Sequence, residues 1–182
     1  ILIYIGALPF LILLLFGEEL FLFLLGEPWI ESGIYSQILS PWCFIMFCVS
    51  PVATSVFVIE KQSFFLLINF VTLLLRLSSF YIGFHMGSCR IALLLFSISG
   101  VLLYAVFQSY LFKKTNLPVL KTWFSNIVQI TPILLSSIPL LLIKLHIESA
   151  QYRLLTVSLF CIVLLPLVYK KLLKEKNKII AS

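Results

Sequence analysis

The chain has 182 residues, of which 62% are hydrophobic and only 11% charged. Soluble domains have roughly 45–50% apolar and about 25% charged residues, and 13 basic plus 7 acidic side chains are too few to cover a soluble surface. A soluble globular fold is therefore excluded, and the composition is typical of a protein surrounded by lipid. The formal net charge of +6 needs no nucleic-acid partner, because the basic residues fall at predicted membrane edges.

The first apolar run, ILIYIGALPFLILLLF, begins at residue 1 without a Met, a basic leader or a small-residue cleavage site. We therefore expect an N-terminal part of the protein to precede it. A spanning helix needs about 20 mostly apolar residues, and continuous hydrophobicity favours helices over a barrel. The sequence predicts an all-α integral membrane protein. Its six predicted spans are 1–16 (truncated), 34–58, 63–84, 91–112, 124–145 and 153–169.

The predicted connections differ in charge from one side of the membrane to the other. Nine lysines lie in alternate connections and in the tail, whereas the remaining connections hold few basic residues and most of the glutamates. Because Lys and Arg are retained in the cytoplasm, this pattern predicts a cytoplasmic C-terminus and an outward-facing segment 17–33. The nine lysines are Lys61, Lys113, Lys114, Lys121, Lys170, Lys171, Lys174, Lys176 and Lys178.

The outward segment continues into the second span as GEELFLFLLGEPWIESGIYSQILSPW, residues 17–42. Gly26 and Pro28 indicate a turn after a short apolar run. Two interpretations stay open for residues 17–33: a short interfacial or re-entrant helix, or an ordinary solvated loop. The three tryptophans, Trp29, Trp42 and Trp123, are predicted to lie near span ends, where indoles suit the headgroup region.

One arginine interrupts the third span, in the stretch NFVTLLLRLSSFYIG. As the fourteenth residue of a span of about 22, Arg76 has its Cα roughly 4 Å from the midplane and about 11 Å from the nearer edge. Its side chain reaches only roughly 6–7 Å, so it cannot extend to the headgroups. An arginine facing lipid at this depth costs about 2.5–3.5 kcal/mol or more. Arg76 is therefore predicted to face protein or water.

Other polar residues share the predicted helix face of Arg76. Their spacings of 3, 4, 3 and 4 residues place them in one line, which extends backward to Gln62. Hydrogen bonds to neighbouring helices would explain the neutral members. Because no Asp or Glu is predicted inside a span to neutralise the guanidinium, a watery cavity or an anionic ligand explains the charged one better. The line comprises Asn69, Thr72, Arg76, Ser79 and Gly83.

Two further amides are candidates for a polar cavity. Small polar residues in spans are explained by close helix packing, but Gln108 and Gln129 carry large amides that would be costly against lipid. No catalytic or metal-binding pattern accompanies them: His85 and His146 have no neighbouring nucleophile or ligand set, and the four cysteines form no CxxC pair. We therefore expect no enzyme activity, no metal site and no cofactor.

The order of features from residue 1 to about 117 resembles a known transporter family. The matching features are LLGEPWIESGIYSQILSPW, FCVSPVATSVF, a KQ pair and NFVTLLLRLSSFYIG. They are similar to the C-terminal half of bacterial O-antigen (Wzx-like) flippases, the polysaccharide branch of the multidrug/oligosaccharidyl-lipid/polysaccharide exporter superfamily. The resemblance divides the chain into residues 1–112, which match the family, and residues 113–182, two further spans and a basic tail that match nothing specific.

This resemblance implies two helix bundles around a cavity that opens alternately to each side of the bacterial inner membrane. It implies a polyprenyl-diphosphate-linked oligosaccharide as substrate, contact with membrane lipids, and a first bundle supplied by the missing N-terminal part. In the family, cationic cavity residues hold the diphosphate or acidic sugars. By position in the matching motif, Arg76 is the candidate substrate contact, with Lys61, Gln62 and Asn69 on or near the same line.

Two alternatives remain. A cation-coupled multidrug exporter of the same superfamily would require a carboxylate in its cavity, and none is predicted within these spans. A membrane enzyme of glycan assembly would be expected to have a large outward loop or an intramembrane His or Asp, and neither is present in the sequence.

Overall fold

The computed structural model describes residues 2–58 and 60–146, which are 92% helical and contain no strand. In this part of the chain, six α-helices follow one another with short turns between them, and one 3₁₀ turn, Glu27–Trp29, joins the first two. The α-helices are α1 Leu2–Leu25, α2 Ile30–Ala53, α3 Ser55–Val58, α4 Gln62–His85, α5 Cys89–Lys114 and α6 Val119–His146.

Four helical segments in the described part of the chain are long and apolar enough to cross a membrane: Leu2–Leu25, Glu27–Val58, Gln62–His85 and Cys89–Lys114. Each of them contains most or all of one of the first four predicted spans, and the first two begin or end well beyond the predicted bounds. The predicted fifth span, 124–145, lies within α6, and the sixth, 153–169, lies outside the described residues. The all-helical architecture is thus confirmed, with four helices long and apolar enough to cross a membrane, while the total of six spans stays a prediction.

Residues 17–33 are helical over most of their length, so the solvated-loop interpretation is wrong. Helix α1 continues past the predicted end of its span to Leu25, with a bend at Phe16, whose backbone is non-helical (φ −126°, ψ 19°). Glutamate, leucine and phenylalanine carry the helix onward, since none of them breaks it. The helix ends at Leu25. Gly26 follows with a φ of +91°, which favours glycine, and Pro28 lies in the 3₁₀ turn after it.

Helices α2 and α5 form the centre of the bundle. Helix α1 packs along α2, α4 packs along α5, and α6 touches α1 and α5. Four buried side chains from α2, α3 and α5 form a core at this centre: Val49, Val56, Phe107 and Leu111. Most large apolar residues of α4 are exposed, which leaves this helix at the edge of the described bundle.

Glycines set the closest approaches between helices. A Cβ on Gly17 would lie 2.8 Å from the carbonyl oxygen of Gly33, and a Cβ on Gly33 would lie 2.7 Å from that of Gly17. A Cβ on Gly83 of α4 would lie 2.8 Å from the Cα of Ala92 in α5. Small residues let helix backbones approach in this way in membrane bundles, where van der Waals packing drives association.

One ion pair joins helix starts at one end of the bundle. Arg90, at the start of α5, donates to Glu31, at the start of α2, over 2.5 Å, and both side chains are about half exposed. The α2 and α5 N-termini therefore lie at the same end, as alternating spans require. We expect this exposed pair to contribute little to stability.

Candidate functional site around Arg76

The polar line of α4 packs against the bundle mainly through its small residues. Ser79 and Gly83 are buried, and Thr72 and Ser79 donate their hydroxyls to carbonyl oxygens of their own helix, those of Ile68 and Leu75, at 2.6 and 2.7 Å. These hydroxyls thus bond within α4 instead of linking it to neighbouring helices. Close packing of this line brings the middle of α4, and with it Arg76, against the centre of the bundle.

The Arg76 guanidinium lies in the angle between two aromatic rings from different helices. Its Cζ is 5.3 Å from the ring centroid of Trp42 in α2 and 4.7 Å from that of Phe96 in α5. The two rings meet edge to face, with centroids 5.0 Å apart and planes at 85°. A cation over an aromatic face gains about 0.5–2 kcal/mol, more when it is desolvated. The aromatic faces therefore stabilise a charge that no carboxylate of the described residues neutralises.

The Trp42 indole packs directly against the backbone of α5 at Gly100. A Cβ on Gly100 would lie 2.3 Å from Trp42 Cδ1, so only glycine leaves room for the ring at this position. The indole Nε1 is buried and has no hydrogen-bond partner among residues 2–58 and 60–146. Trp42 lies in the middle of α2, so its predicted position near a span end is wrong. Its ring serves as a wall of the Arg76 site.

The hydrogen-bond donors of Arg76 are not used by the described part of the protein. Its guanidinium forms no hydrogen bond or ion pair there, and the carboxylates of Glu31 and Glu19 are paired with Arg90 and Lys144. Aromatic rings satisfy the charge in part but offer no acceptor for five N–H groups. The arrangement is thus a partly buried cation with free donors, which is the chemistry of an anion contact.

Three of the predicted contacts lie along α4 at a distance from this site. Asn69 is exposed, two turns from Arg76, and donates to the Phe65 carbonyl oxygen of its own helix at 2.8 Å. Gln62 is the first residue of α4 and Lys61 precedes it, and both are exposed. At 1.5 Å per residue they lie about 20 Å along the helix axis from Arg76. The structure therefore does not bring them into contact with the guanidinium.

The two predicted glutamines occupy other places. Gln108 lines an apolar cavity of about 350 Å³ between α1, α2, α5 and α6, together with Ser40, Asn126 and Trp123. Gln129, on α6, donates to Ser125 of the same helix at 3.4 Å and does not line that cavity. Neither amide adjoins Arg76, so the predicted set is divided among separate parts of the bundle.

A buried carboxylate in α1 was not predicted. Glu19 lies inside the helix that continues beyond Phe16, and its side chain is 7% exposed. Lys144 of α6 lies 3.4 Å from Glu19 Oε1. The expectation that no acidic residue lies inside a span is therefore wrong for α1, because its helix does not end at residue 16. The adjacent glutamates at 18 and 19 suggested that the span ends there and that both side chains face water. In the structure only Glu18 is exposed.

Comparisons with known proteins add no relatives to this picture. No family model, no curated protein and no solved structure matches the chain. Function is therefore inferred from the geometry of the described residues, chiefly from Arg76 and the two rings beside it.

Proposed function

We propose that the chain is part of a bacterial inner-membrane flippase that moves a polyprenyl-diphosphate-linked oligosaccharide, with its C-terminus in the cytoplasm. Arg76 would contact the diphosphate or an acidic sugar. The observation that carries this proposal is a guanidinium near the middle of a long apolar helix, lying over Trp42 and Phe96, with no acceptor for its donors among residues 2–58 and 60–146. Translocation breaks no bond, so the site needs to bind and release an anion and nothing more.

The chemistry of a guanidinium suits this role. Its planar fork can donate two parallel N–H bonds to a phosphate, and such charge-assisted bonds are shorter and roughly twice as strong as neutral ones. The contact is strengthened where water is scarce, because the effective dielectric is low. The neighbouring rings limit how far the side chain can move, so less conformational freedom is lost when the anion binds.

Alternating access requires a second wall for the cavity. Helix α4 lies at the edge of the described bundle, and most of its large apolar side chains are exposed. A second bundle from an N-terminal part of the same protein would face this edge and enclose the lipid-linked glycan. We expect the hydrocarbon of the polyprenyl chain to stay in contact with membrane lipid.

We expect Arg76→Ala to abolish most glycan export, and Arg76→Lys to retain part of it. Loss of charge-assisted bonds worth about 1.5–3 kcal/mol weakens phosphate binding about tenfold or more, while an ammonium keeps the charge but not the fork. The measurement is export of lipid-linked glycan by the full-length protein in cells that depend on it, with membrane levels of each variant matched by immunoblot.

Arg90→Ala is the matched control, because it removes an arginine that is already paired with Glu31 at the end of the bundle. Its export should stay near that of the unmodified protein. Undiminished export by both Arg76 variants would eliminate the proposed contact.

A cation-coupled exporter of small molecules is the second candidate, and Glu19 is the observation that favours it. A buried intramembrane carboxylate is the group such a transporter would use to bind a proton or metal ion. In this candidate Glu19→Gln would abolish drug resistance conferred by the full-length protein, whereas Arg76→Ala would not. The flippase is preferred because Glu19 is already paired with Lys144, while Arg76 is not paired among the described residues.

A further inference from the structure

The cavity between α1, α2, α5 and α6 has a largely apolar wall. Its volume is about 350 Å³, and its lining residues in α1 run from Ile3 to Leu14, about 16 Å along the helix axis. This length is close to half of the roughly 30 Å hydrocarbon core of a bilayer, which is the depth that one lipid acyl chain fills. The cavity therefore has the dimensions of a site for a single hydrocarbon chain.

Two polar side chains in the wall are already bonded within the protein. Ser40 Oγ donates to the Phe10 carbonyl oxygen at 2.7 Å. Trp123 Nε1 donates to Ser109 Oγ at 2.9 Å. Because these groups need no ligand, and because each buried water needs about two to four polar partners, most of the wall is unsuited to water. It favours hydrocarbon as the occupant.

Two amides in the wall, those of Gln108 and Asn126, are not bonded in this way. Both residues are partly buried and line the cavity, yet neither side chain forms a hydrogen bond with another residue of 2–58 or 60–146. Each amide carries two N–H donors and one carbonyl acceptor, and leaving these groups against hydrocarbon is costly. A ligand with a hydrogen-bond acceptor at this position removes part of that cost.

The two amides lie toward the same end of the bundle. Gln108 lies about 9 Å before the end of α5 at Lys114. Asn126 lies about 10 Å after the start of α6 at Val119, and residues 115–118 connect the two helices there. The cavity thus has a long apolar part and an amide pair toward one end. This pattern of polarity matches a lipid, whose acyl chain carries an ester group at its head.

Exposed lysines cluster at this end of the bundle. Four of the described lysines are there: Lys61, Lys113, Lys114 and Lys121. Glu60 is the one acidic residue of the described chain at the same end. Basic residues at a membrane edge attract anionic headgroups, and basic places between spanning helices hold anionic lipids. The charge at this end therefore favours a lipid with an anionic headgroup.

From these observations we propose that the cavity binds one acyl chain of an anionic phospholipid from the leaflet on the lysine side of the membrane. The chain lies along α1 and α2, an ester carbonyl oxygen accepts N–H groups from Gln108 and Asn126, and the phosphate lies toward the lysines. The bound lipid fills the space between α6 and the other helices and so stabilises the position of α6. The proposal does not rest on the flippase function, since none of the described residues of α4, which carries Arg76, lines this cavity.

The test is photochemical labelling of the full-length protein in phosphatidylcholine vesicles that contain a small fraction of phosphatidylglycerol with a diazirine on one acyl chain. Peptide mass spectrometry then locates the attachment sites, and we expect them at Phe44 and Cys48, which line the cavity, as well as at exposed residues such as Ile98. Val101→Phe enlarges a side chain of the wall and should reduce attachment at the two cavity residues about fivefold or more, with Ile98 unchanged. Val106→Phe adds the same bulk to an exposed position of α5 and is the matched control.

A second variant decides the question if Val101→Phe does not fold. Gln108→Leu/Asn126→Leu keeps the size of the wall but removes both amides, and it should also reduce attachment at Phe44 and Cys48. A phosphatidylcholine probe with the same diazirine chain should label these two residues several times less than phosphatidylglycerol, and equal labelling would overturn the preference for an anionic lipid. If neither residue is labelled, or if labelling persists in both variants, the proposed site is wrong.

Discussion

Lys144→Met is expected to lower the free energy of unfolding by about 3 kcal/mol, several times the loss expected for Glu19→Leu. The asymmetry follows from burial, since the Glu19 side chain is 7% exposed and the Lys144 side chain 31%. Removing the lysine takes a cationic partner from a carboxylate that water barely reaches, whereas removing the glutamate leaves an ammonium that can turn toward solvent. The double variant Glu19→Leu/Lys144→Met should recover most of the loss, because buried pairs are often replaceable by apolar side chains.

The measurement is a double-mutant cycle by equilibrium unfolding in mixed micelles, followed by far-ultraviolet circular dichroism. The same cycle at Arg90 and Glu31 is the control, since that pair is exposed and should couple by less than about 1 kcal/mol. Equal losses from both single variants at Glu19 and Lys144, or a double variant that simply adds them, would contradict a buried pair.

Gly83→Leu is expected to separate α4 from α5 and to destabilise the chain by about 1–3 kcal/mol or more. Even the first carbon of the new side chain would lie 2.3 Å from the Cβ of Ala92 and 2.8 Å from its Cα. Backbone atoms cannot turn aside as a flexible side chain can, so the helices themselves must move. Because Arg76 is on α4 and Phe96 is on α5, the same movement should pull the guanidinium from its ring.

The control for this prediction is Ser78→Leu, which adds the same side chain to an exposed position of α4. Stability is measured by the same unfolding titration, and the separation of α4 and α5 by disulfide cross-linking between cysteines introduced along their contact. Unchanged cross-linking and stability in Gly83→Leu would mean that the two helices do not meet at this glycine.

The helices were predictable because a bilayer demands long apolar runs with internal hydrogen bonds. The same reasoning placed Arg76 against protein, and the structure puts it there. The bend of α1 was not predictable in this way. Pro9 lies inside α1, yet the non-helical residue is Phe16, next to the contact of Gly17 with Gly33 and beneath Lys144. Gly17, a weak helix former, and contacts between distant parts of the chain accompany the bend.

The ring contacts of Arg76 could not be predicted from local sequence patterns either. Trp42 and Phe96 come from two other helices, and nothing in their spacing links them to an arginine on α4. Trp42 was assigned to the interface because indoles are common there, but Gly100 opens a place for it inside the bundle. Glu19 was missed because a span boundary was placed before two adjacent glutamates, although both residues are compatible with a continuing helix.

The Arg76 guanidinium, which has no ion-pair partner in the described part of the chain, also has an electrical consequence. Arg76 lies roughly 4 Å from the middle of α4 along its axis, so its charge lies well inside the membrane field. An elementary charge that crosses the whole membrane exchanges about 2.3 kcal/mol with a potential of 100 mV. If a conformational change carried Arg76 across part of the membrane, its charge would exchange a proportional share of this energy with the membrane potential. A bound anion would cancel the charge that moves, or reverse its sign. The membrane voltage would then act differently on the empty and the loaded protein.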